Sequence, residues 1–289
     1  MADGVVLLAG YRRAPTALAL LWALKRRVAE APPVKAVLCV NEFSPRRWRQ
    51  WRRRLGPEAV GRVASALGFR TATVHDAEYA TYRERLDDWN VPHRSLRRLC
   101  RELDVPLHVV PSLDSLTALR LLDQYGPRHA LFTGGGILRA SFLERVPGGI
   151  LNVHSAWLPH VRGMNAAEWS LYYGMQPAAT VHLIDRGIDT GPILARRVVD
   201  VAQGEQLGHI RARVVLAGLD LLLEVLPAFL RGEAAITANP KEQGRQYYAM
   251  APVLRGLVQH WIDTGITPVC SPEEVAPDDP RPAPMRFVT

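Results

Sequence analysis

Residues 148–191, GGILNVHSAWLPHVRGMNAAEWSLYYGMQPAATVHLIDRGIDTG, form the stretch around which the rest of the chain is organised. An apolar run at 149–154 predicts a strand that enters a loop, and a second run at 179–184 predicts another strand. Because side chains alternate along a strand, Asn152 and His154 lie on one face, opposite the apolar side chains between them. Each polar group at the end of a core strand costs about 1–3 kcal/mol if it is buried and unpaired, which indicates a functional site.

A carboxylate follows the second predicted strand. Asp189 stands in the loop DRGIDTG at 185–191, among residues that favour a tight turn. An amide, an imidazole and a carboxylate from two strand ends can form one acyl-transfer site. Taken singly, each also has a structural interpretation, since a strand-end Asn or His is commonly a hydrogen-bonding residue and such an Asp is commonly a turn or a cap.

Alternating apolar runs and amphipathic stretches predict an α/β fold with a Rossmann-like, doubly wound, mostly parallel sheet. Further strands are predicted at 5–9, 35–40, 107–110, 129–133 and 193–201. Helices are predicted at 14–29, 45–67, 95–103, 112–124 and 206–231. Ser112 is the expected N-cap of its helix. Residues 69–92 show weak periodicity, which predicts a mobile connection with short structured pieces.

Composition sets the broad class of protein. With 289 residues, of which 48% are hydrophobic and 22% charged, the chain can bury a substantial core. We expect a catalytic domain at 1–231 and a short C-terminal extension at 232–289, whose end is rich in proline and acidic residues. No apolar run approaches the roughly 20 residues that cross a bilayer, and no basic segment precedes the first one, so we expect a cytoplasmic protein without membrane contact. The three cysteines lack metal or redox spacing, and no metal is expected.

The net charge of +8 is concentrated in one segment. Residues 46–54, RRWRQWRRR, hold six arginines and two tryptophans. One interpretation is a solvated helix face anchored by its tryptophans. The other is a surface for phosphate or nucleic acid, whose affinity would fall steeply with salt.

The chain resembles the formyltransferases that use 10-formyltetrahydrofolate, a family that includes glycinamide ribonucleotide, methionyl-tRNA and amino-sugar formyltransferases. The resemblance covers about residues 4–248. It rests on motifs that keep their order and spacing, namely Asn152-Val153-His154, Leu158-Pro159, Arg162-Gly163, Thr180-Val181-His182 and Asp189-Thr190-Gly191-Pro192-Ile193. The resemblance implies the formyltransferase fold and a catalytic triad of Asn152, His154 and Asp189.

The resemblance also implies where the formyl donor, 10-formyltetrahydrofolate, binds. The glycine run after the strand at 129–133 continues through Gly136 into Ile137 and Leu138, which resembles the wall of the pterin pocket. A plain glycine-rich turn is the alternative, and the run lacks the spacing of a dinucleotide-binding loop. Three residues of the second loop are expected to bind the same molecule: Asp185, Gly187 and Ile188.

Five residues are predicted to bind the formyl acceptor: Tyr11, Arg12, Trp157, Arg162 and Asn165. Arg162 and Asn165 are expected to shape the loop after the catalytic strand, and Arg162 can also touch the acceptor. Trp157 is either a core anchor or a pocket wall for an apolar acceptor. The loop after the first strand does not reproduce the Gly-Ser-Asn phosphate loop of the glycinamide ribonucleotide enzymes. The stretch after residue 231 is short for the C-terminal barrel of the methionyl-tRNA enzymes.

These features predict an N-formyltransferase that acts on a specialised small molecule, such as an amino sugar, a nucleotide-linked amine or a biosynthetic intermediate. The alternatives are a methionyl-tRNA-type enzyme without the C-terminal barrel, a 10-formyltetrahydrofolate hydrolase, and a folate-binding relative without activity. The expected partners are the amine and folate. Nucleic acid is disfavoured, although the segment at 46–54 leaves it open. Family members often pair through their C-terminal part, so the resemblance also allows a homodimer.

Overall fold

A computed structural model describes residues 4–41, 75–266 and 270–275. The chain divides into two compact units, Met1–Ile150 and Leu151–Thr289. Three predicted features lie outside the described residues, namely the helix at 45–67, the arginine-rich segment at 46–54 and the end of the tail.

The strands, numbered in chain order, are β1 Val5–Ala9, β2 Val34–Val40, β3 Leu107–Val110, β4 His129–Thr133, β5 Ile150–His154, β6 Val161–Gly163, β7 Ala178–Leu183, β8 Ile193–Val198 and β9 Arg245–Tyr247. The helices are α1 Pro15–Arg26, α2 His75–Asp88, α3 Leu96–Glu102, α4 Leu116–Tyr125, α5 Ala140–Leu143, α6 Ala166–Tyr172, α7 Leu207–Leu230 and α8 Pro252–Asp263. Among the described residues, the main sheet has seven strands in the order β3-β2-β1-β4-β5-β7-β8. The predicted α/β fold with a mostly parallel sheet is confirmed.

The first unit is built on parallel strands. β1 pairs with β2 on one side and with β4 on the other, and β2 pairs with β3. Every residue of β1 is buried, as expected for a strand whose two faces are both covered. α1 follows β1 and buries its alanines and leucines, which is why the apolar pattern at 5–29 predicts these two elements well.

In the second unit, the two strands that carry the polar residues, β5 and β7, pair antiparallel with each other. β7 pairs antiparallel with β5 and with β8. A small second sheet joins β6 and β9 in parallel. The long helix α7 packs close to the strands, because Gly218 carries no side chain and a Cβ there would overlap the Val153 side chain. Helix α7 therefore packs directly against β5 at Val153.

An aromatic cluster joins α6 to β9 in the second unit. The Trp169 ring stacks on Tyr247 with ring centroids 4.9 Å apart. Its indole Nε1 donates a hydrogen bond of 2.9 Å to the Tyr248 carbonyl. Within the described ranges, no helix combines the length and the apolar character needed to span a membrane.

The predicted mobile connection at 69–92 is wrong from His75 onward, because α2 occupies most of that stretch. Its buried residues Tyr82 and Leu86 lie one helical turn apart. Trp89, just after the helix, accepts a hydrogen bond of 2.8 Å from Trp22 Nε1 through its carbonyl. A helix with so few buried residues leaves a weak apolar pattern, which explains the error.

The predicted cap of α4 is also wrong. The helix begins at Leu116, and Ser115 caps it by accepting a hydrogen bond of 3.3 Å from the Ala118 backbone. The Ser112 carbonyl instead accepts hydrogen bonds from the backbone N–H and the hydroxyl of Ser115. Residues 112–115 therefore form a turn before the helix, and two serines three positions apart made the choice ambiguous.

Candidate active site

The pairing of β5 with β7 places four polar side chains on one face. Asn152 lies opposite His182, and His154 lies opposite Thr180. Directly opposite residues of an antiparallel pair project to the same side of the sheet. The Thr180 hydroxyl donates to the Ala156 carbonyl at 2.6 Å and accepts from the Leu158 N–H at 3.2 Å. Thr180 therefore fixes the chain where it leaves β5.

His182 orients the amide of Asn152. Burial, and secondarily the neighbouring His154, lower the pKa of His182 to about 4, so its ring is neutral at neutral pH. His182 Nδ1 donates to the Leu183 carbonyl at 2.9 Å, which leaves Nε2 as the acceptor. Asn152 Nδ2 donates to that Nε2 at 3.0 Å. The second N–H of the amide keeps a fixed direction as a result.

His154 is buried between two acceptors. Its Nε2 donates to the Val161 carbonyl at 2.8 Å. Its Nδ1 lies 3.4 Å from the Oδ2 atom of Asp189. The ring is thus held between a backbone carbonyl and the Asp189 carboxylate.

Asp189 is held on both its side chain and its backbone. Its Oδ2 accepts a hydrogen bond of 2.9 Å from the Gly163 N–H. Its φ of +53° lies in the left-handed region, which costs a non-glycine residue about 1–2 kcal/mol. Asn239 Nδ2 donates to the Asp189 carbonyl at 3.0 Å and to the Gly191 carbonyl at 2.9 Å. The structure thus brings the carboxylate to the imidazole within the second unit.

Arg162 and Asn165 make contacts within the protein. The buried Arg162 donates to the Gln243 carbonyl at 2.6 Å and to the Lys241 carbonyl at 2.9 Å. Burial lowers the pKa of its guanidinium, and the negative charge of Asp189 opposes that shift. Asn165 donates to Glu168 at 2.6 Å and accepts from the Met250 N–H. Contact of either residue with an acceptor stays a prediction.

Trp157, Tyr11 and Arg12 are the other residues predicted to bind the acceptor. The half-buried Trp157 ring lies under the Arg196 guanidinium, 5.0 Å from the ring centroid. Tyr11 and Arg12 lie in the first unit, in the turn between β1 and α1, and the Arg12 carbonyl accepts from the Leu96 N–H at 2.9 Å. Their roles in binding an acceptor stay predictions.

The residues predicted to bind the formyl donor fall in both units. In the first unit, Gly136 has a φ of +109° with open space where a Cβ would stand, Ile137 is 64% exposed and Leu138 is buried. In the second unit, Asp185 accepts from the Gly187 N–H at 3.0 Å and from the Thr190 hydroxyl at 2.7 Å, which closes the loop that carries Ile188. Among the residues that the structure describes, no group of three His, Cys, Asp or Glu residues could hold a metal ion.

Asn239 is a residue beside the candidate site that the sequence analysis missed. It lies beyond the predicted domain boundary at 231 and 50 positions from Asp189. No local pattern pairs the two residues, because the contact depends on a β-bridge between Thr237 and Ile193. Sequence reasoning had no signal that could have found it.

Comparisons with known proteins bear on the fold and on the family resemblance. Residues 118–226 match the family model described as "Formyl transferase", and the triad residues lie inside that stretch. This match confirms the resemblance drawn from the motifs over residues 118–226. The methionyl-tRNA formyltransferase of Myxococcus xanthus is 33% identical over 123 residues, which are 42% of this chain and 39% of that protein. The matched part thus spans well under two thirds of that relative.

Two solved structures share the fold. Glycinamide ribonucleotide transformylase 1 from Symbiobacterium toebii has 20% identity and a TM-score of 0.54, covering 87% of this chain and 96% of the other. A sugar N-formyltransferase from a Shewanella species has 13% identity and a TM-score of 0.52, covering 90% and 88%. At these identities the likeness is one of fold.

Proposed function

We propose that this chain is an N-formyltransferase with 10-formyltetrahydrofolate as donor and a small-molecule amine as acceptor. The proposal rests on the meeting of Asn152, His154 and Asp189 in the second unit, where Asp189 Oδ2 lies 3.4 Å from His154 Nδ1. The family match over residues 118–226 supports the same reaction class. In this proposal residues 1–231 form the catalytic domain and 232–289 an extension.

Asn152 stabilises the charge that develops during transfer. When a formyl group passes between two nitrogens, negative charge builds on the formyl oxygen. One N–H of Asn152 is donated to His182, and the other donates to that oxygen. A preorganised donor of this kind contributes about 3–4 kcal/mol to lowering the barrier.

His154 and Asp189 handle the proton. The attacking amine must lose a proton, and the leaving nitrogen must gain one. Asp189 accepts the proton that the amine releases, and this proton passes to the leaving nitrogen as its bond to the formyl carbon breaks. The contact of Asp189 with His154 holds the imidazole in place. The Gly163 N–H keeps the carboxylate in that direction.

Two stretches are proposed to bind the donor. Gly136, Ile137 and Leu138 offer a backbone that a planar ring can approach, because open space lies beside Gly136. Asp185, Gly187 and Ile188 belong to the loop that leads into Asp189. When bound, the donor supplies the activated formyl group, and this chain supplies the orientation and the proton transfer.

Methionyl-tRNA is a second candidate acceptor. Several curated relatives with 30–37% identity over the matched part carry that name, the Myxococcus xanthus protein among them. Those relatives extend well beyond the matched part, so their acceptor is carried over here only as an alternative. A tRNA acceptor would make the reaction strongly salt-dependent, because phosphate contacts weaken as salt rises.

An acceptor screen tests the proposal. The full chain is incubated with 10-formyltetrahydrofolate and amino sugars, nucleotide-linked amines or methionyl-tRNA, and each product is weighed for the mass gain of one formyl group. The matched control is Asp189→Asn, which keeps the side-chain shape and removes the charge. Formate release without any amine would indicate a hydrolase instead. Folate binding without consumption of the formyl group would contradict any enzymatic role.

A further inference from the structure

Asn239 is a buried side chain with an uneven set of hydrogen bonds. Its amide nitrogen uses both N–H groups, one on the Asp189 carbonyl at 3.0 Å and one on the Gly191 carbonyl at 2.9 Å. Its Oδ1 is buried and has no hydrogen-bond partner among the described residues. Leaving a buried amide oxygen unpaired is unfavourable. What the side chain contributes is therefore its pair of donors.

Those two donors act on the turn that presents the catalytic carboxylate. The carbonyls of Asp189 and Gly191 stand on either side of Thr190, so one amide group fixes the turn at both ends. Asp189 has a φ of +53°, a conformation that non-glycine residues keep only when their surroundings impose it. Gly191 is packed so tightly that a Cβ would overlap the Leu183 carbonyl. The turn has little room to adjust if the amide is lost.

The backbone around Asn239 is itself anchored. Thr237 exchanges two hydrogen bonds with Ile193, of 2.8 and 2.9 Å, at the start of β8. Because of this bridge, the segment that follows Thr237 runs beside the Asp189–Gly191 turn. Asn239 therefore reaches the turn from a fixed backbone rather than from a free tail.

We infer that Asn239 is a positioning residue for formyl transfer, which holds the Asp189–Gly191 turn so that the carboxylate faces His154. The inference rests on the proposed function and extends it to a residue outside the matched stretch at 118–226. It also implies that residues after 231 contribute to the proposed active site.

Three substitutions in the full chain test the inference. Asn239→Leu keeps the size of the side chain and removes both donors. Asn239→Asp is isosteric and, when ionised, places a negative charge against two carbonyls. Gln259→Leu is the matched control, because Gln259 also uses its amide to join segments of the second unit, with Nε2 donating to the Glu205 carbonyl and Oε1 accepting from the Leu207 N–H.

The expected result is a selective loss of turnover. Both Asn239 variants should lower kcat about 10- to 100-fold, as loss of a supporting hydrogen bond or a small displacement of a catalytic group does. The KM for the formyl donor should change less than threefold, roughly. Gln259→Leu should keep kcat within about twofold of wild type. Similar losses in all three variants, at similar thermal stability, would overturn the inference.

The pH profile supplies a readout that a merely structural role would not move. Once protonated, the carboxyl of Asn239→Asp regains one O–H donor for a carbonyl. Its kcat relative to wild type should therefore rise as the pH is lowered, whereas that of Asn239→Leu should not. If both variants follow the same pH profile, Asn239 does not act through its donors.

Histidine-ring NMR separates this inference from the proposed function. In Asn239→Leu and in Asn239→Asp, the Cε1–Hε1 resonance of His154 should move at fixed pH, because the neighbouring carboxylate moves. Unmoved resonances in a folded variant overturn the positioning role. Wild-type protein that transfers no formyl group overturns the proposed function instead, whatever the resonances do.

Discussion

The two units of this protein bury different kinds of side chain. In the first unit, β1 is apolar throughout, and Leu7 at its centre is 0% exposed. Among the described residues, His129 is the one buried polar or charged side chain of the first unit. The second unit buries the others, namely His154, Arg162, Glu168, Ser170, Thr180, His182 and Asn239.

This difference indicates that apolar burial in the first unit serves stability, whereas the polar groups of the second unit serve the proposed chemistry. Burial of apolar surface stabilises a fold, whereas buried polar groups cost free energy unless each finds a partner. The second unit accepts that cost where β5, β7 and the Asp189 turn meet, and its polar side chains support one another there. The buried polar side chains of the second unit thus coincide with the proposed active site.

The largest effect expected from this contrast is on activity. Asn152→Ala, His154→Ala and Asp189→Ala should each lower kcat for formyl transfer by about 100- to 1000-fold, the usual result of removing an aligned donor or acid–base group. Steady-state kinetics with the acceptor found in the screen measures the loss, and circular dichroism checks that each variant folds. Near-full activity in any two of these variants would contradict the proposed catalytic triad.

Stability should show the reverse pattern. Leu7→Ala should lower the free energy of unfolding by about 2–5 kcal/mol, because it leaves a cavity in a close-packed strand. Asn152→Ala should lower it by only about 1 kcal/mol, because it removes one hydrogen bond of a half-buried side chain. Urea unfolding of both variants gives the two values. A greater loss in Asn152→Ala would contradict the division of roles.

Acid should weaken the folded state through His182. Its pKa is about 4 in the folded chain, against an ordinary value of 6.5. Between these values the unfolded chain binds a proton that the folded chain does not, so the free energy of unfolding falls as the pH drops from 6.5 to 4. The fall amounts to about 3 kcal/mol. His182→Asn should flatten this part of the pH curve, and identical curves for variant and wild type would exclude His182 as the cause.

The smallest effects are expected from two helical glycines. Gly218→Ala places a methyl group against Val153 of β5 and should destabilise the protein by about 1–3 kcal/mol. Gly256→Ala in α8 meets nothing within 4 Å and should stabilise it by about 0.5–1 kcal/mol. Thermal unfolding compares the pair. Equal shifts of Tm in both variants would mean that α7 does not constrain β5.

Most of the fold could be predicted from apolar patterns. β1 and β4 were predicted to the residue, because buried strands leave runs that turn residues interrupt. α2 could not be found in this way, since its buried residues are few and most of its other residues are polar. The antiparallel direction of β7 and β8 leaves no local pattern either, because direction depends on the connections and not on the strand.

The candidate site likewise contains residues that the sequence predicts and contacts that it does not. Asn152, His154 and Asp189 stand in ordered motifs, and the structure brings them together. The supporting contacts are different, because they join residues distant in sequence. Arg162 reaches the carbonyls of Lys241 and Gln243, and Asn239 reaches the Asp189 turn. Such contacts follow from tertiary packing and leave no periodic signal.

The stacking of Trp169 on Tyr247 gives the protein a built-in optical probe. Indole emission depends on ring contacts and on the local field, and the 245–248 segment supplies the shortest ring contact, from Tyr247, and the hydrogen bond to the indole, from the Tyr248 carbonyl. If that segment left α6, the fluorescence spectrum of Trp169 would change. A variant with its other six tryptophans replaced by phenylalanine would let this departure be followed in real time.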